Sequence, residues 1–424
     1  MTAPIVAGPA GVGPVAVSDQ LSGLAGPRLG SAAVLQRYDH VLMKTFGAPK
    51  RVFVRGEGCH VFDAEGRRYL DLLAGLAVNA LGHAHPTVLS AITGQIATLG
   101  HVSNFFATPA QVALADRLVA MVAPDGNARV FFTNSGTEAN EAAFKITRLT
   151  GRTKIISFEG AFHGRSMGAL AITHAPKYRE PFLPLPGEVT FLPYGDADAL
   201  AAAVDDQTAA VVVEPIQGEN GVVVPPEDFL RRVREVTSIH GALLWVDEVQ
   251  TGVGRTGDWL VHRAQGIQAD VVTLAKGLGN GFPIGACVAT GTAADLLGPG
   301  SHGSTFGGNP VAAIAGLAVL AVIERDGLLA HATAMGRHLE KAVGSLEHPV
   351  VQGVRGRGLL RGIVLNQPIA AEVSDAALDA GFVINAPRPD VLRLAPPLII
   401  TEAQLDSFVA VLPGLLTTAA QERA

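Results

Sequence analysis

Two residues set the chemical question. Lys276 closes one apolar run, "DVVTLAK", and is followed by "GLGNGFPIG"; Asp247 closes another, "ALLWVDE". A lysine at the end of a buried run is a candidate for a lowered amine pKa, and so for an uncharged amine that forms an imine with an aldehyde. The plainer reading is a surface lysine in a glycine-rich loop, which the apolar run ahead of it disfavours. Asp247 taken alone reads as a helix cap or a solvated strand end. Beside an imine-forming lysine it has a sharper role, because a lysine that carries pyridoxal phosphate comes with an aspartate on the pyridinium nitrogen. That carboxylate keeps the ring protonated, so that the ring accepts the electrons of a substrate carbanion.

Three further stretches fit this chemistry. In "TNSGTEANEAAFKITR", Ser135 and Glu138 have the spacing of a capping box, and a glycine turn opens a helix. The amides of Gly136 and Thr137 at that helix start form a natural phosphate cradle, although many helices start in this way. In "FEGAFHGRSMGALAIT", Phe162, His163 and Arg165 follow directly on an apolar run. Phe162 reads either as core or as an aromatic stacked on a ring. Arg165 is either a surface charge or a bidentate holder of a carboxylate. His83 and His85 in "GHAHP" raise the question of a metal, but no further ligands converge on them.

The elements that must position these groups are legible in the hydrophobic pattern. Six short runs are nearly continuous in apolar character: 128–134, 153–160, 209–215, 242–248, 270–276 and 284–290. Strands buried on both faces read this way. Helical segments such as "FLRRVREVTSIHG" fall between several of them, which predicts an α/β domain with a mostly parallel sheet. Ligands in such sheets bind at the carboxyl ends of the strands, where Ser135, Glu159, Glu214, Asp247 and Lys276 stand. Upstream, residues 51–75 alternate and turn at Gly56 and Gly66, a hairpin-rich unit. Beyond Glu324 the pattern predicts a smaller α+β domain, with a helix over 328–346, strands near 356–365 and 391–400, and a last helix over 402–417. The expected division is a disordered arm over 1–30, a segment over 31–79 that packs with the small domain, a large domain over 80–323 and a small one over 324–424.

Bulk properties narrow the function. Hydrophobic residues make up 48% of the 424 and charged ones 17%, a globular balance. The net charge of -6 offers no basic surplus for nucleic acid, and scattered Lys and Arg argue against an anionic membrane surface. Mean hydropathy is +0.31. The longest apolar stretch, Val311 to Ile323, falls short of the roughly 18–20 residues that span a bilayer, and reads as a buried helix. The first thirty residues lack the basic start and unbroken apolar run of a secretory signal. Two isolated cysteines, Cys59 and Cys287, signal neither zinc nor a disulfide framework and fit a reducing cytoplasm.

The ordered motifs "NALGHAHP", "NSGTEANEAA", "GAFHGRSMGAL", "EPIQGENGV", "WVDEVQTGVGRTG", "LAKGLGNGFPIGA", "HGSTFGGNP" and "RLAPPLIIT" together resemble the class III, or ornithine-type, aminotransferases of the type I pyridoxal-phosphate fold. The resemblance runs from about residue 50 to 400. It implies an α/β fold with a mostly parallel seven-stranded sheet and a homodimer with shared active sites. It implies that Lys276 is the Schiff-base lysine and Asp247 the pyridinium partner. It implies further that Gln250 lies near the ring hydroxyl, that Phe162 stacks on the ring, and that Gly136 and Thr137 bind the phosphate. By the same resemblance Thr305 matches a phosphate ligand donated by the other subunit. Arg165 and Ser304 match contacts to the acylated substrate, Arg393 matches the arginine for a substrate carboxylate, and Glu219 matches the acid that masks Arg393 when no carboxylate is there.

Within the class the chain is most similar to the acetylornithine-specific members. This implies ping-pong transfer of the terminal amino group of N2-acetylornithine to 2-oxoglutarate. Ornithine-specific members usually carry a tyrosine near the position of Val78-Asn79, and "GLAVNALGH" has none, which leaves room for an acyl group. Action on ornithine, succinylornithine or 4-aminobutyrate is the alternative. A non-catalytic pyridoxal-phosphate-binding regulator is opposed by the intact Lys276, Asp247 and Phe162 set.

Overall fold

The computed structural model describes residues 30–422. The expected disordered arm over 1–30 lies almost wholly outside them. Contacts divide the chain into two units. Among the described residues, one is 30–55 with Val61–Arg68; the other is Gly56–His60 with 69–422. In the first unit the helix Ser31–Val41 buries none of its residues. The turn expected at Gly66 is present, with Asp63 Oδ1 accepting from the Glu65 and Arg67 amides at 3.1 and 2.8 Å. The other expected turn is displaced. Gly56 lies inside the strand Phe53–Glu57, and the left-handed residue is Gly58, at φ +54°. Gly56 is needed for another reason: a Cβ there would sit 2.6 Å from the Cβ of His83.

The second unit is built on a seven-stranded sheet. Its strands are β1 (Ala128–Thr133), β2 (Lys154–Phe158), β3 (Glu188–Leu192), β4 (Thr208–Val213), β5 (Leu243–Asp247), β6 (Val271–Leu274) and β7 (Gly285–Thr290). Their order is β1-β7-β6-β5-β4-β2-β3. All pairings are parallel except those of β7, which runs antiparallel to both β1 and β6. Every residue of β4, β6 and β7 is buried, which is why these strands read as unbroken apolar runs. β3 escaped that reading. It is an edge strand, partly exposed along its length, with no apolar run to mark it.

Helices α1 (Pro86–Thr98), α2 (Pro109–Val122), α3 (Gly136–Leu149), α4 (Phe229–His240) and α5 (Pro310–Arg325) surround this sheet. α5 contains the apolar stretch Val311–Ile323, and eleven of its residues are buried. Beyond it lie α6 (Leu328–Gly344), α7 (Ala370–Ala380) and α8 (Glu402–Glu422). α6 and α7 pack on an antiparallel sheet of β8 (Val351–Arg357), β9 (Leu360–Leu365), β10 (Asn385–Arg388) and β11 (Val391–Leu394), in the order β8-β9-β11-β10, and α8 packs against α6 and α7. Two expectations need correction here. The strand expected over 391–400 stops at Leu394, because Pro396 and Pro397 lack the amide a ladder needs. The last helix runs through Pro413 to Glu422 instead of ending near 417. By length and composition α8 is apolar enough to cross a membrane. Its Leu405, Phe408, Leu412 and Leu416 belong to the hydrophobic core.

Candidate active site

The site lies where the sheet's carboxyl ends meet α3. Ser135 caps that helix: its Oγ accepts from the Glu138 amide at 3.3 Å, and Glu138 Oε2 accepts from the Asn134 amide at 3.1 Å. The capping box read from sequence is therefore formed. The amides of Gly136 and Thr137 lead the helix, where its own hydrogen-bond pattern leaves them over, so the helix start faces the cavity as an anion-binding end. Gly136 has no room for a side chain, since a Cβ would lie 2.8 Å from Val249 Cγ1. Thr137 Oγ1 lies 2.6 Å from Ser166 Oγ, and Gly164 packs against it so tightly that a Cβ would come within 2.2 Å.

Asp247 ends β5 and is 4% exposed. Its Oδ2 lies 2.7 Å from His163 Nδ1 and accepts from Asn140 Nδ2 at 2.8 Å, while Oδ1 accepts from the Val249 amide at 3.0 Å. Burial works against charge on His163, but the hydrogen bond and charge of Asp247, with Glu214 behind them, outweigh it and raise the His163 pKa. Asp247 is thus held in one orientation at the cavity wall by two side chains and a backbone amide. His163 stands out in the sequence by its place after an apolar run, though nothing there shows its role, and Asn140 carries no such signal. Asn140 lies one turn into α3 from Gly136, on the face that must look back at the sheet.

Lys276 follows β6 and opens a short 3-10 turn with a left-handed backbone, φ +44°. A lysine in that region is strained, and such strain collects at functional sites. Burial lowers its pKa and Arg393 lowers it further; Glu219, Asp247 and Glu214 pull the other way without reversing the shift. The result is an amine readier to be uncharged, as the sequence position suggested. Glu214, just past β4, is pushed up to about 7, chiefly by burial. Its Oε1 accepts from the Phe162 amide at 2.8 Å.

A cavity of about 400 Å³ gathers most of the residues singled out from sequence: Gly136, Thr137, Phe162, Arg165, Asp247, Gln250 and Lys276. Val78 and Ile216 also line it. Ile216 was missed, because an apolar residue after "EP" carries no chemical signal. Arg165 stacks its guanidinium 3.5 Å above the ring of Tyr178 and 5.6 Å from that of Phe162. Arg393 and Glu219 stand behind Gln250. Arg393 Nη1 donates to Glu219 Oε1 at 2.5 Å and to Gln250 Oε1 at 3.2 Å, and its Nε donates to Asn385 at 3.1 Å. Its Nη2 is buried with no partner among the described residues. Burial would raise the Glu219 pKa, but Arg393 and Lys276 hold it below the usual carboxylate range. Thr305 and Ser304 are not among the residues lining this cavity. Thr305 is exposed, and Ser304 Oγ accepts from the Gly307 amide at 2.9 Å. His83 is bonded to Asp71 at 2.8 Å, and no cluster of three or more metal-ligating side chains occurs among the described residues.

An activated lysine, an oriented carboxylate, an anion-binding helix end and a buried arginine with a spare donor together suit amino-group chemistry on a phosphorylated aldehyde. The family model for Aminotransferase class-III matches residues 44–416. This chain belongs to the class-III aminotransferases. It is 59% identical over 386 residues to the acetylornithine aminotransferase of Mycolicibacterium smegmatis, covering 91% of this chain and 98% of that one. It is 58% identical over 389 residues to the acetylornithine aminotransferase of Mycobacterium tuberculosis, covering 92% and 97%. Among solved structures, it is similar to the acetylornithine aminotransferase of Elizabethkingia anophelis at a TM-score of 0.82 and 32% identity, covering 92% of this chain and 99% of that one. It is similar to the ornithine aminotransferase of Toxoplasma gondii at a TM-score of 0.88 and 29% identity, covering 97% and 100%. The likeness to these transaminases bears out the expected fold: large, mostly parallel seven-stranded sheet and smaller α+β part. Membership of the class implies pyridoxal phosphate.

Proposed function

We propose that this aminotransferase moves the terminal amino group of N2-acetylornithine to 2-oxoglutarate, giving N-acetylglutamate 5-semialdehyde and glutamate, with pyridoxal phosphate bound in the 400 Å³ cavity. One observation carries the substrate: identity of 59% to an acetylornithine aminotransferase across nearly the whole of both chains. Val78 on the cavity wall supports it, because no tyrosine fills the space an acyl group needs.

The residues fit the cofactor on structural grounds. The helix start at Gly136 and Thr137 would hold the phosphate, Phe162 and Ile216 would flank the ring, and Gln250 would meet its hydroxyl. Asp247, fixed by His163 and Asn140, would hold a proton on the ring nitrogen. When bound, the group supplies an electron sink for the carbanion formed at the substrate carbon. Lys276, its amine kept readier to be neutral by burial, is the residue that would hold the cofactor covalently, and its freed amine would carry the proton between the substrate carbon and the cofactor as acid and base. For glutamate, Arg393 takes the α-carboxylate and Arg165 the other. For acetylornithine the reacting amine is at the far end, and Glu219 neutralises Arg393, whose unpaired charge would be costly to bury.

The reading includes a homodimer in which Thr305 serves the partner's site. Phe105, Phe106 and Phe306 support it: Phe105 is 92% exposed, and Asn104 ties its segment to that of Phe306 through the Ser304 and Gly307 carbonyls at 3.1 Å each. Such a patch calls for cover. A cytoplasmic location is part of the reading, in keeping with two buried free cysteines. Initial rates on N-acetylornithine, ornithine, succinylornithine and 4-aminobutyrate, each with 2-oxoglutarate, test the substrate. A kcat/KM for N-acetylornithine at or below any of the others would overturn it.

A further inference from the structure

Arg255 stands in the middle of the loop that follows Asp247, five residues beyond Gln250. It is 3% exposed and is not among the residues lining the cavity. Its Nη1 donates to the Leu359 carbonyl at 3.1 Å and to the Pro396 carbonyl. Its own carbonyl accepts from the Leu359 amide at 2.9 Å. Its Nη2 is buried with no hydrogen-bond partner among the described residues. A guanidinium buried against carbonyls, with one nitrogen unsatisfied, is costly to keep. Burial pushes its pKa down to about 9, and the charge of Asp71 offsets only part of that. A hydrophobic residue of similar size would fill the space at less cost, so the position of this arginine asks for a reason.

The reason lies in which segments it joins. Gln250 and Arg255 share one loop, and Arg393 and Pro396 share the end of β11 and its continuation. Two side-chain rungs therefore link the same two segments: Arg393 Nη1 to Gln250 Oε1 at 3.2 Å, and Arg255 Nη1 to the Pro396 carbonyl. The turn between β8 and β9 is drawn into the same joint. Gly358 lies so close that a Cβ would be 2.4 Å from the carbonyl carbon of Thr256. Neither Arg393 nor Pro396 is tied to the Asp247 loop by a backbone hydrogen bond in the described residues, since Ala395 and Leu398 donate instead to Leu72 and Ala80.

We propose that Arg255 is a positioning residue for Arg393, fixing the strand end that bears the substrate-binding arginine against the loop that bears Gln250 and Asp247. The inference rests on the assignment of Arg393 to the α-carboxylate of glutamate. Without Arg255 the strand end keeps one side-chain rung to that loop, and Arg393 meets that carboxylate out of place. A misplacement of about 1 Å costs up to roughly a hundredfold in rate. The acetylornithine half-reaction is less exposed, because there Arg393 meets Glu219 and no substrate carboxylate.

The test uses the holoenzyme and follows each half-reaction by single-turnover absorbance, with Arg255→Gln, Arg255→Lys and Arg393→Met beside the wild type. The expected result for Arg255→Gln is a loss of roughly ten- to a hundredfold in the single-turnover rate of the glutamate half-reaction, less than about threefold in the acetylornithine half, and unchanged cofactor content. Arg255→Lys keeps a charge and donors, and recovers part of the glutamate loss; it decides the matter by the same split if the glutamine variant does not fold. Equal slowing of both halves in the Arg255 variants, no slowing of either, or loss of cofactor with a normal glutamate half-reaction in what remains, would overturn the proposal while leaving the site reading intact. A normal glutamate half-reaction in Arg393→Met would instead remove the reading on which it rests.

Discussion

At the scale of single residues, the site is a set of buried ionisable groups whose pKa values are pulled apart. Lys276 is lowered and Glu214 is raised to about 7, both chiefly by burial. Two predictions belong here. Lys276→Ala should abolish turnover while pyridoxal phosphate still binds non-covalently, and borohydride should fix the cofactor to Lys276 alone in the wild type. Label recovered on another lysine would refute the assignment. Glu214 makes a pH prediction. Its carboxyl titrates near 4.5 when unfolded and near 7 in the fold. Between those values the folded state holds a proton that the unfolded state has lost, so the contribution is complete below about pH 4.5 and disappears as pH rises through about 7. Glu214→Gln keeps the acceptor for the Phe162 amide and removes that slope, with His163, Asp247 and Lys276 facing the position in both proteins. Melting temperatures of the two cofactor-free proteins should therefore diverge in favour of the variant as pH rises across this window. A constant gap would mean that Glu214 titrates as an ordinary carboxylate.

Elements decide how these residues meet, and here the sequence was unevenly informative. β4, β5, β6 and β7 were legible because both of their faces are buried, and Lys276 and Asp247 stand out in the sequence because they close such apolar runs. β3 was not, because an edge strand needs no continuous apolar run. Asn140 could have been found from helix periodicity, lying one turn from Gly136 on the cavity side of α3. Ile216 and the Arg255 joint could not, because both depend on a packing that no local pattern encodes. The helix start also carries a prediction. Gly164 has φ +139° and lies against Thr137 Oγ1, so Gly164→Ala brings both backbone strain and a contact near 2.2 Å. Thr137 must yield, and the anion-binding end of α3 loses its shape. Retention of pyridoxal phosphate should weaken by about tenfold or more in equilibrium dialysis, roughly 1.4 kcal/mol. Unchanged retention would remove Thr137 from the phosphate end.

For the whole molecule the question is whether one chain makes a complete site. Thr305 is exposed, and neither it nor Ser304 is among the residues lining the cavity that gathers Lys276, Asp247 and Gly136. Phe105, Phe106 and Phe306 meanwhile stand uncovered near them. In the proposed homodimer each Thr305 completes the phosphate end of the partner's site, so a site needs Lys276 from one copy and Thr305 from the other. A two-fold pairing makes this testable by mixing. Lys276→Ala is inactive by loss of the amine, and a bulky, charged Thr305→Glu should be inactive by repelling the phosphate. Unfolded and refolded together in equal amounts, half of the dimers are hybrids. In each hybrid one site carries both defects and the other carries none. The mixture should recover about a quarter of wild-type activity from two inactive parents. If each site were built from a single chain, every site in every dimer would keep one defect, and no activity would return on mixing.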